Sequence, residues 1–146
     1  MAADEAKWRG QVKGILADVN IQGYVDLLVA MLRAEPWKIF WDHLQLAYVV
    51  FADIGLAPES PDLLVWKTCQ ERELLLITDN RNKDDADSLE ATIREENTPR
   101  SLPVFTIADV PHLRHSREYA DRIIESFLIY VLQGDNIRGT GRLYLP

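Results

Sequence analysis

The sequence contains a single cysteine and no long apolar run, and each absence excludes a class of protein. Cys69 has no second cysteine to pair with, so an internal disulfide is excluded and a reducing compartment is expected. No apolar run approaches the roughly 20 residues that span a bilayer. The first ten residues, MAADEAKWRG, are too polar for a signal peptide. We therefore expect a cytoplasmic protein that does not bind membranes.

Basic side chains are scarce relative to acids. The chain of 146 residues has 16 Lys and Arg against 23 Asp and Glu, which gives a formal charge of −7. This balance disfavours a broad basic surface for nucleic acid. It is consistent with several carboxylates gathered in one site, where a metal ion would neutralise part of their charge.

Hydrophobic patterning predicts strands that alternate with helices. Short apolar runs predict four strands, at 12–18, 46–51, 74–77 and 104–107. Apolar residues at helical spacing predict helices at 24–34, 37–44, 63–70, 88–96 and 116–132. The fold class is therefore α/β, a three-layer sandwich with right-handed crossovers and a mostly parallel sheet of four or five strands.

The whole chain is interpreted as one domain, residues 1–146. We expect residues 1–11 to be flexible and residues 135–146 to form a C-terminal strap along the body. Two helices carry large apolar side chains that we expect in the core. These side chains are Trp37, Phe40, Trp41 and Leu44 of the second helix, and Leu63, Leu64, Trp66 and Cys69 of the third.

Two acids follow predicted strands directly. Asp18 ends the first strand, and Asp79 follows the apolar run of the third. If those strands are central neighbours, strand order reverses between them, and open α/β sheets place ligands at such a point. We therefore expect Asp18 and Asp79 to face one another at the carboxyl edge of the sheet.

Further acids could join this pair. Asp62 lies at the start of the third helix, where it would also complement the helix dipole. A fourth acid would come from the loop after the third strand, where the candidates are Asp84, Asp85 and Asp87. The alternative is that this loop is a solvated turn that ends in a helix cap. Oxygen-only ligands select hard cations, so the cofactor expected here is Mg²⁺ or Mn²⁺.

Three stretches resemble the PIN-like nuclease superfamily. They are ILADVN at 15–20, GL at 55–56 with DLLVW at 62–66, and LLITDNR at 75–81. The resemblance covers residues 15–107 and is closest to the compact bacterial branch of small single-domain proteins. It implies a PIN-like domain that binds divalent metal and cleaves RNA. It also implies an antitoxin protein as a partner, because some members act in toxin–antitoxin pairs.

The family's functional residues carry over onto this chain as follows. The resemblance implies Asp18, Asp62 and Asp79 as catalytic acids and metal ligands, with Asp84 or Asp85 as a further ligand. The loop after Asp79 is longer than in many relatives, so this last acid is shifted. Substrate contacts are expected from polar side chains that flank the acids: Asn20, Asn80, Arg81 and Lys83.

Two interpretations from other classes stay open. One is a non-catalytic PIN-like interaction module, which suits the acidic charge and the incomplete acid pattern. The other is a receiver-like phosphoacceptor domain, which also has strand-end acids on a parallel sheet. That domain requires a pair of acids after the first strand, whereas Asp18 is followed by Val19 and Asn20. The oligomeric state, including a homodimer, is likewise open.

Overall fold

A computed structural model of the protein describes residues 11–81 and 87–146. In these ranges five strands form one parallel sheet in the order β2-β1-β3-β4-β5. The strands are β1 Gly14–Ala17, β2 Ala47–Val49, β3 Leu74–Thr78, β4 Val104–Ile107 and β5 Arg142–Leu145. The α-helices are α1 Gln22–Leu32, α2 Lys38–Leu44, α3 Asp62–Arg72, α4 Leu89–Glu96 and α5 Arg117–Leu132. The predicted α/β class is confirmed.

The centre of the sheet is the pairing of β1 with β3. Gly14 pairs with Leu74 and Ala17 with Ile77 in parallel register, while β2 lies on the other side of β1. Every residue of β1, β3 and β4 is buried. Apolar runs without alternation are typical of parallel strands because helices cover both faces. The predicted reversal of strand order between the first and third strands is confirmed.

Helices cover both faces of the sheet, which gives the predicted three layers. On one face, α1 and α5 pack against the odd-numbered residues of the central strands, such as Ile15, Leu75 and Phe105. On the other face, α3 and α4 pack against Leu16 and Leu76. We call these the α1/α5 face and the α3/α4 face. Within the described ranges, no helix is both long enough and apolar enough to cross a bilayer.

Local capping explains where two of these helices begin. The Ser88 hydroxyl accepts a hydrogen bond from the backbone N–H of Ala91 at 3.1 Å, at the start of α4. Ser116 does the same for the N–H of Tyr119 at 3.0 Å, at the start of α5. A serine in this position satisfies one of the donors that a helix start leaves unpaired. The starts of α4 and α5 are thus fixed by hydrogen bonds between residues three positions apart in the sequence.

The segment expected as a C-terminal strap, residues 135–146, contains the fifth strand of the sheet after residue 141. Arg142–Leu145 pairs in parallel with all of β4 and forms the edge of the sheet. Leu145 is buried against the α1/α5 face, so the alternation of Leu143 and Leu145 reflects sheet pairing. The expected flexible segment, apart from Gln11, lies outside the described residues.

The last crossover has the opposite hand from the others. The chain moves from β1 to β2 through α1 on the α1/α5 face. It then moves along the sheet in the reverse direction on the α3/α4 face, from β2 to β3 through α3 and from β3 to β4 through α4. Those three connections therefore share one hand. The β4–β5 connection continues in the direction of β3 to β4, yet α5 packs on the α1/α5 face. The four crossovers therefore cannot all be right-handed, contrary to the expectation for parallel connections.

Some of the side chains expected in the core are exposed. Phe40 is 42% exposed, Leu63 40% and Leu64 48%, whereas Trp41, Trp66 and Cys69 are buried as expected. Each residue advances about 100° around a helix of 3.6 residues per turn, so adjacent residues cannot all face the sheet. In α3 the residues that pack on the sheet are Val65, Trp66 and Cys69. Leu63 and Leu64 come before them, in the first turn of the helix.

We expect Gly14→Ala to lower the free energy of unfolding by about 1–3 kcal/mol, the usual cost of overpacking. A methyl group on Gly14 would lie 2.5 Å from the carbonyl oxygen of Ala47, its partner in β2. The control is Gly23→Ala in the first turn of α1, where a methyl group meets nothing within 4 Å. That change should be neutral or stabilise by up to about 1 kcal/mol. Urea unfolding measures both, and equal stability of the two variants would contradict the close β1–β2 approach.

Candidate functional site

A polar cavity of about 70 Å³, partly open to solvent, lies at the carboxyl edge of β1 and β3 on the α3/α4 face. Its apolar floor is formed by Phe51, Val65, Leu76 and Leu89. Its polar walls come from the segments that follow β1 and β3 and from the start of α3: Asp18, Asn20, Ser60, Asp62 and Asn80. The cavity therefore lies at the reversal of strand order, where open parallel sheets bind ligands.

Asp18 is fixed by four hydrogen bonds, one of which its carbonyl oxygen accepts from the N–H of Ile21 at 3.0 Å. Its backbone N–H donates to the carbonyl oxygen of Ile77 at 2.9 Å, which extends the β1–β3 ladder by one residue. The Thr78 hydroxyl donates to one carboxylate oxygen at 2.6 Å. The other oxygen accepts from the N–H of Asn20 at 3.4 Å, so that the Asp18 carboxylate caps the 3₁₀ helix Val19–Ile21. Asp18 thus has a structural role in addition to any chemical one.

Asp62 is the first residue of α3, preceded by Pro61, whose side chain cannot cap the helix. The Asn80 side-chain amide donates to its carboxylate at 3.3 Å. Burial raises the pKa of Asp62, and the nearby charge of Asp18 raises it further. Hydrogen bonds from Asn80 and from the N–H of Leu89 oppose this rise. The cavity therefore brings together two carboxylates whose charges repel each other.

Asn80 is held between these acids and the C-terminal strand. Its backbone N–H donates to the Thr78 hydroxyl at 3.0 Å, and its carbonyl oxygen accepts from the Arg142 guanidinium at 2.9 Å. The Arg142 side chain is only 7% exposed and also donates to Glu90 at 2.8 and 3.1 Å. Both bonds end on the same oxygen of Glu90, and such charge-assisted hydrogen bonds hold the buried arginine in place, so β5 fixes the segment that carries Asn80.

Thr78 and Arg142 were missed by the sequence analysis. Register could have found Thr78, because pairing of Ala17 with Ile77 places the next residues, Asp18 and Thr78, side by side. No local signal points to Arg142, which is 62 residues from Asn80 in the chain. Its role depends on β5 joining the sheet.

Asp79 does not line the cavity. Its side chain is exposed, whereas Thr78 and Asn80 on either side of it contact Asp18 and Asp62. Successive side chains of an extended segment point to opposite faces, so Asp79 is directed away from both. Among the predicted site residues, the structure therefore brings Asp18, Asp62, Asn20 and Asn80 together. The role of Asp79 as a ligand stays a prediction.

The remaining predicted site residues follow Asn80 in the chain. Arg81 and Asp87 are exposed, and Asp87 comes directly before the Ser88 cap of α4. Lys83, Asp84 and Asp85 lie outside the described residues. Within residues 11–81 and 87–146, no three His, Cys, Asp or Glu side chains are grouped so that they could hold a metal ion.

The donor set is nevertheless suited to one class of ion. Asp18 and Asp62 supply two carboxylates, and the polar side chains around them are amides and hydroxyls. Mg²⁺ usually keeps several waters and is bound by one or two carboxylates plus substrate phosphate. A cation would also relieve the repulsion that contributes to the raised pKa of Asp62. The residues present therefore fit Mg²⁺ or Mn²⁺ held by Asp18 and Asp62.

Comparison of the chain with protein-family models, curated proteins and solved structures gives no match. The resemblance to PIN-like nucleases therefore stays a prediction from the quoted motifs.

We expect Asp62→Asn to raise the free energy of unfolding at neutral pH by roughly 0.2–1 kcal/mol, the range of partly exposed charge pairs. The pKa of Asp62 is higher in the folded than in the unfolded chain, so the folded protein takes up this proton first as pH falls. At pH values above the pKa of Asp62 in the folded protein, the charge on Asp62 therefore lowers the free energy of unfolding. This loss disappears as the pH falls to the ordinary pKa range of an aspartate, where Asp62 is protonated in both the folded and the unfolded chain. The advantage of Asp62→Asn should disappear with it.

Urea unfolding across this pH range, without divalent ions, measures the effect. The control is Glu125→Gln in the middle of α5, which removes the same charge from an exposed position and should show no such pH dependence. Destabilisation by Asp62→Asn at every pH would instead mean that its favourable position at the helix start outweighs burial and repulsion.

Proposed function

We propose that this protein is a Mg²⁺- or Mn²⁺-dependent ribonuclease whose site is centred on Asp18 and Asp62. The observation that carries the proposal is the shared cavity of these two acids at the reversal of strand order. Two carboxylates that repel each other there are not required for a stable sheet. They are suited to a hard cation and, through it, to a phosphodiester.

The chain's own residues would hold the site in position. Asp18 is oriented by Thr78 and by its capping bond, and Asp62 is oriented by Asn80. A bound Mg²⁺ or Mn²⁺ would supply activation of water and neutralisation of phosphate charge. Because the carboxylates are already fixed by hydrogen bonds, little reorganisation is required when the ion and substrate arrive.

RNA as the substrate is supported by the PIN-like motifs and by the position of Arg81. This exposed arginine directly follows Asn80, which lines the cavity, so it is suited to contact a flanking phosphate. An antitoxin partner belongs to the same proposal through the resemblance alone, and a cytoplasmic location belongs to it through the single cysteine.

A second candidate is a non-catalytic interaction module. It is favoured by the hydrogen bonds of Asp18 and Asp62, which account for both acids without a metal ion. The receiver-like alternative receives no comparable support: such a domain also requires a lysine after its last strand, and none of the residues found to line the cavity is a lysine. The nuclease and the module differ in metal binding, which can be measured directly.

We expect the purified protein to cleave a mixed RNA pool in Mg²⁺ or Mn²⁺, and Asp18→Asn and Asp62→Asn each to lower the rate roughly a hundredfold or more. Asparagine can still accept the capping bond at position 18, so folding should be preserved. Cleavage should stop when EDTA removes the metal and return when Mg²⁺ is restored. Glu125→Gln, remote from the cavity, is the matched control and should keep the wild-type rate.

A further variant, Asp79→Asn, decides between two versions of the site. A loss equal to that of Asp18→Asn would make Asp79 a ligand in the presence of substrate. A wild-type rate would limit the site to the acids that line the cavity. Equal cleavage by every variant would reveal a contaminating nuclease and remove the claim. No cleavage, with no heat of Mn²⁺ binding in calorimetry, would favour the interaction module.

A further inference from the structure

A cluster of arginines and aromatic rings lies at the carboxyl edge of the sheet on the α1/α5 face. The Arg114 guanidinium lies 5.0 Å from the centre of the Tyr24 ring. The Arg122 guanidinium lies 5.5 Å from the Tyr119 ring, on which His112 stacks at 4.5 Å. Both arginines are therefore within the range of cation–π attraction, which restricts their side chains.

Parallel topology explains why these residues meet. Tyr24 lies in the first turn of α1, which follows β1, and the 3₁₀ helix Val110–Arg114 follows β4. Tyr119 and Arg122 belong to the first turns of α5. All these segments begin at the carboxyl ends of parallel strands, which is the same edge as the cavity.

Arg81 connects the cluster to the cavity. Its positive charge acts on the Tyr119 hydroxyl, where it opposes the rise that burial causes in the pKa of that group. The residue before it, Asn80, lines the cavity and contacts Asp62. The arginine cluster and the two carboxylates are therefore neighbours across the edge of the sheet.

The three arginines are exposed, and none forms an ion pair with a carboxylate of the described part of the chain. Two acids lie in the same region: Asp109, 3.7 Å from His112 within the cluster, and Asp121, which accepts from the Trp37 indole at 3.3 Å. In a chain of net charge −7, where arginines such as Arg142 are paired, three arginines without ion pairs in the described ranges form a locally basic patch.

We propose that Arg81, Arg114 and Arg122 bind successive phosphates of a single-stranded RNA, which continues over the sheet edge into the cavity. This inference rests on the proposed ribonuclease function and identifies how its substrate is held. A guanidinium presents two parallel donors that match phosphate oxygens. The exposed face of His112 adds a ring on which an unpaired base can stack, as single strands require.

The test is binding of a fluorescent uridine oligonucleotide of about 12 nucleotides, in the range of known single-strand sites. It is measured by anisotropy in EDTA, so that cleavage plays no part. The triple variant R81Q/R114Q/R122Q should bind roughly tenfold or more weakly at low salt. Its slope of log affinity against log salt should be shallower by about 2, since each lost phosphate contact removes about 0.7.

A matched control separates this patch from net charge. The variant R33Q/R72Q/R94Q removes three exposed arginines from the C-terminal ends of α1, α3 and α4 and has the same net charge as the first variant. It should bind RNA within about twofold of wild type with an unchanged salt slope. Melting temperatures check folding, and if the first triple variant unfolds, R114Q alone should lower the slope by about 0.7.

Other outcomes would overturn the inference. Equal losses in both triple variants would mean that RNA responds only to overall charge. Binding of polyglutamate in place of RNA would assign the patch to an acidic protein. Loss of binding in the patch variant but no metal-dependent cleavage by wild type would reject the proposed ribonuclease while retaining the RNA-binding surface. Cleavage by wild type at a rate unchanged in R81Q/R114Q/R122Q would reject the surface while retaining the ribonuclease.

Discussion

The pairing of β1 against β3 is the constraint on which the rest of the structure depends. It buries both strands between two layers of helices and sets the point where strand order reverses. The hydrogen bond from the Asp18 N–H to Ile77 extends that pairing beyond the last residue of β1. This single additional bond places the Asp18 carboxylate beside Thr78 and determines which face its side chain occupies. A slip of one residue would direct it to the opposite face.

The acids of the cavity combine favourable and unfavourable effects of similar size. Asp62 at the start of α3 is favoured by the helix dipole, typically by about 0.3–1 kcal/mol. Burial and repulsion from Asp18 act against it, as the direction of its pKa shift indicates. Since partly exposed charge pairs contribute about 0.2–1 kcal/mol, the net effect of charged Asp62 is a small destabilisation. The fold can therefore keep two neighbouring carboxylates at little cost, and a cation would then find them already positioned.

Charge is divided across the edge of the sheet. The acids occupy the α3/α4 face, and Arg114 and Arg122, without carboxylate partners in the described ranges, occupy the α1/α5 face. A chain with net charge −7 would repel a nucleic acid over most of its surface. A local positive patch next to the carboxylates would therefore favour one approach over others. The proposed RNA would thus be attracted to the protein at this patch and would reach the carboxylates from that side.

The unusual final crossover contributes to this arrangement. It places α5, with Tyr119 and Arg122, on the α1/α5 face, and it returns the chain to β5 at the edge of the sheet. From β5, the buried Arg142 reaches both Glu90 and the carbonyl of Asn80. The last strand thus supports the cavity, although no residue of β5 lines it.

The sequence by itself determined the features that depend on neighbouring residues. Apolar runs and helical spacing indicated the α/β class and the four main strands, and the strand-end position of Asp18 indicated the edge on which the cavity lies. Tertiary structure decided the features that depend on residues far apart in the chain. The exposure of Leu63 and Leu64 follows from which side of α3 meets the sheet. The exclusion of Asp79 from the cavity follows from strand alternation in a register that only pairing with β1 fixes. Arg142 contacts Asn80 across 62 residues, and local patterns contain no information about contacts at such separations because these depend on how the whole sheet assembles.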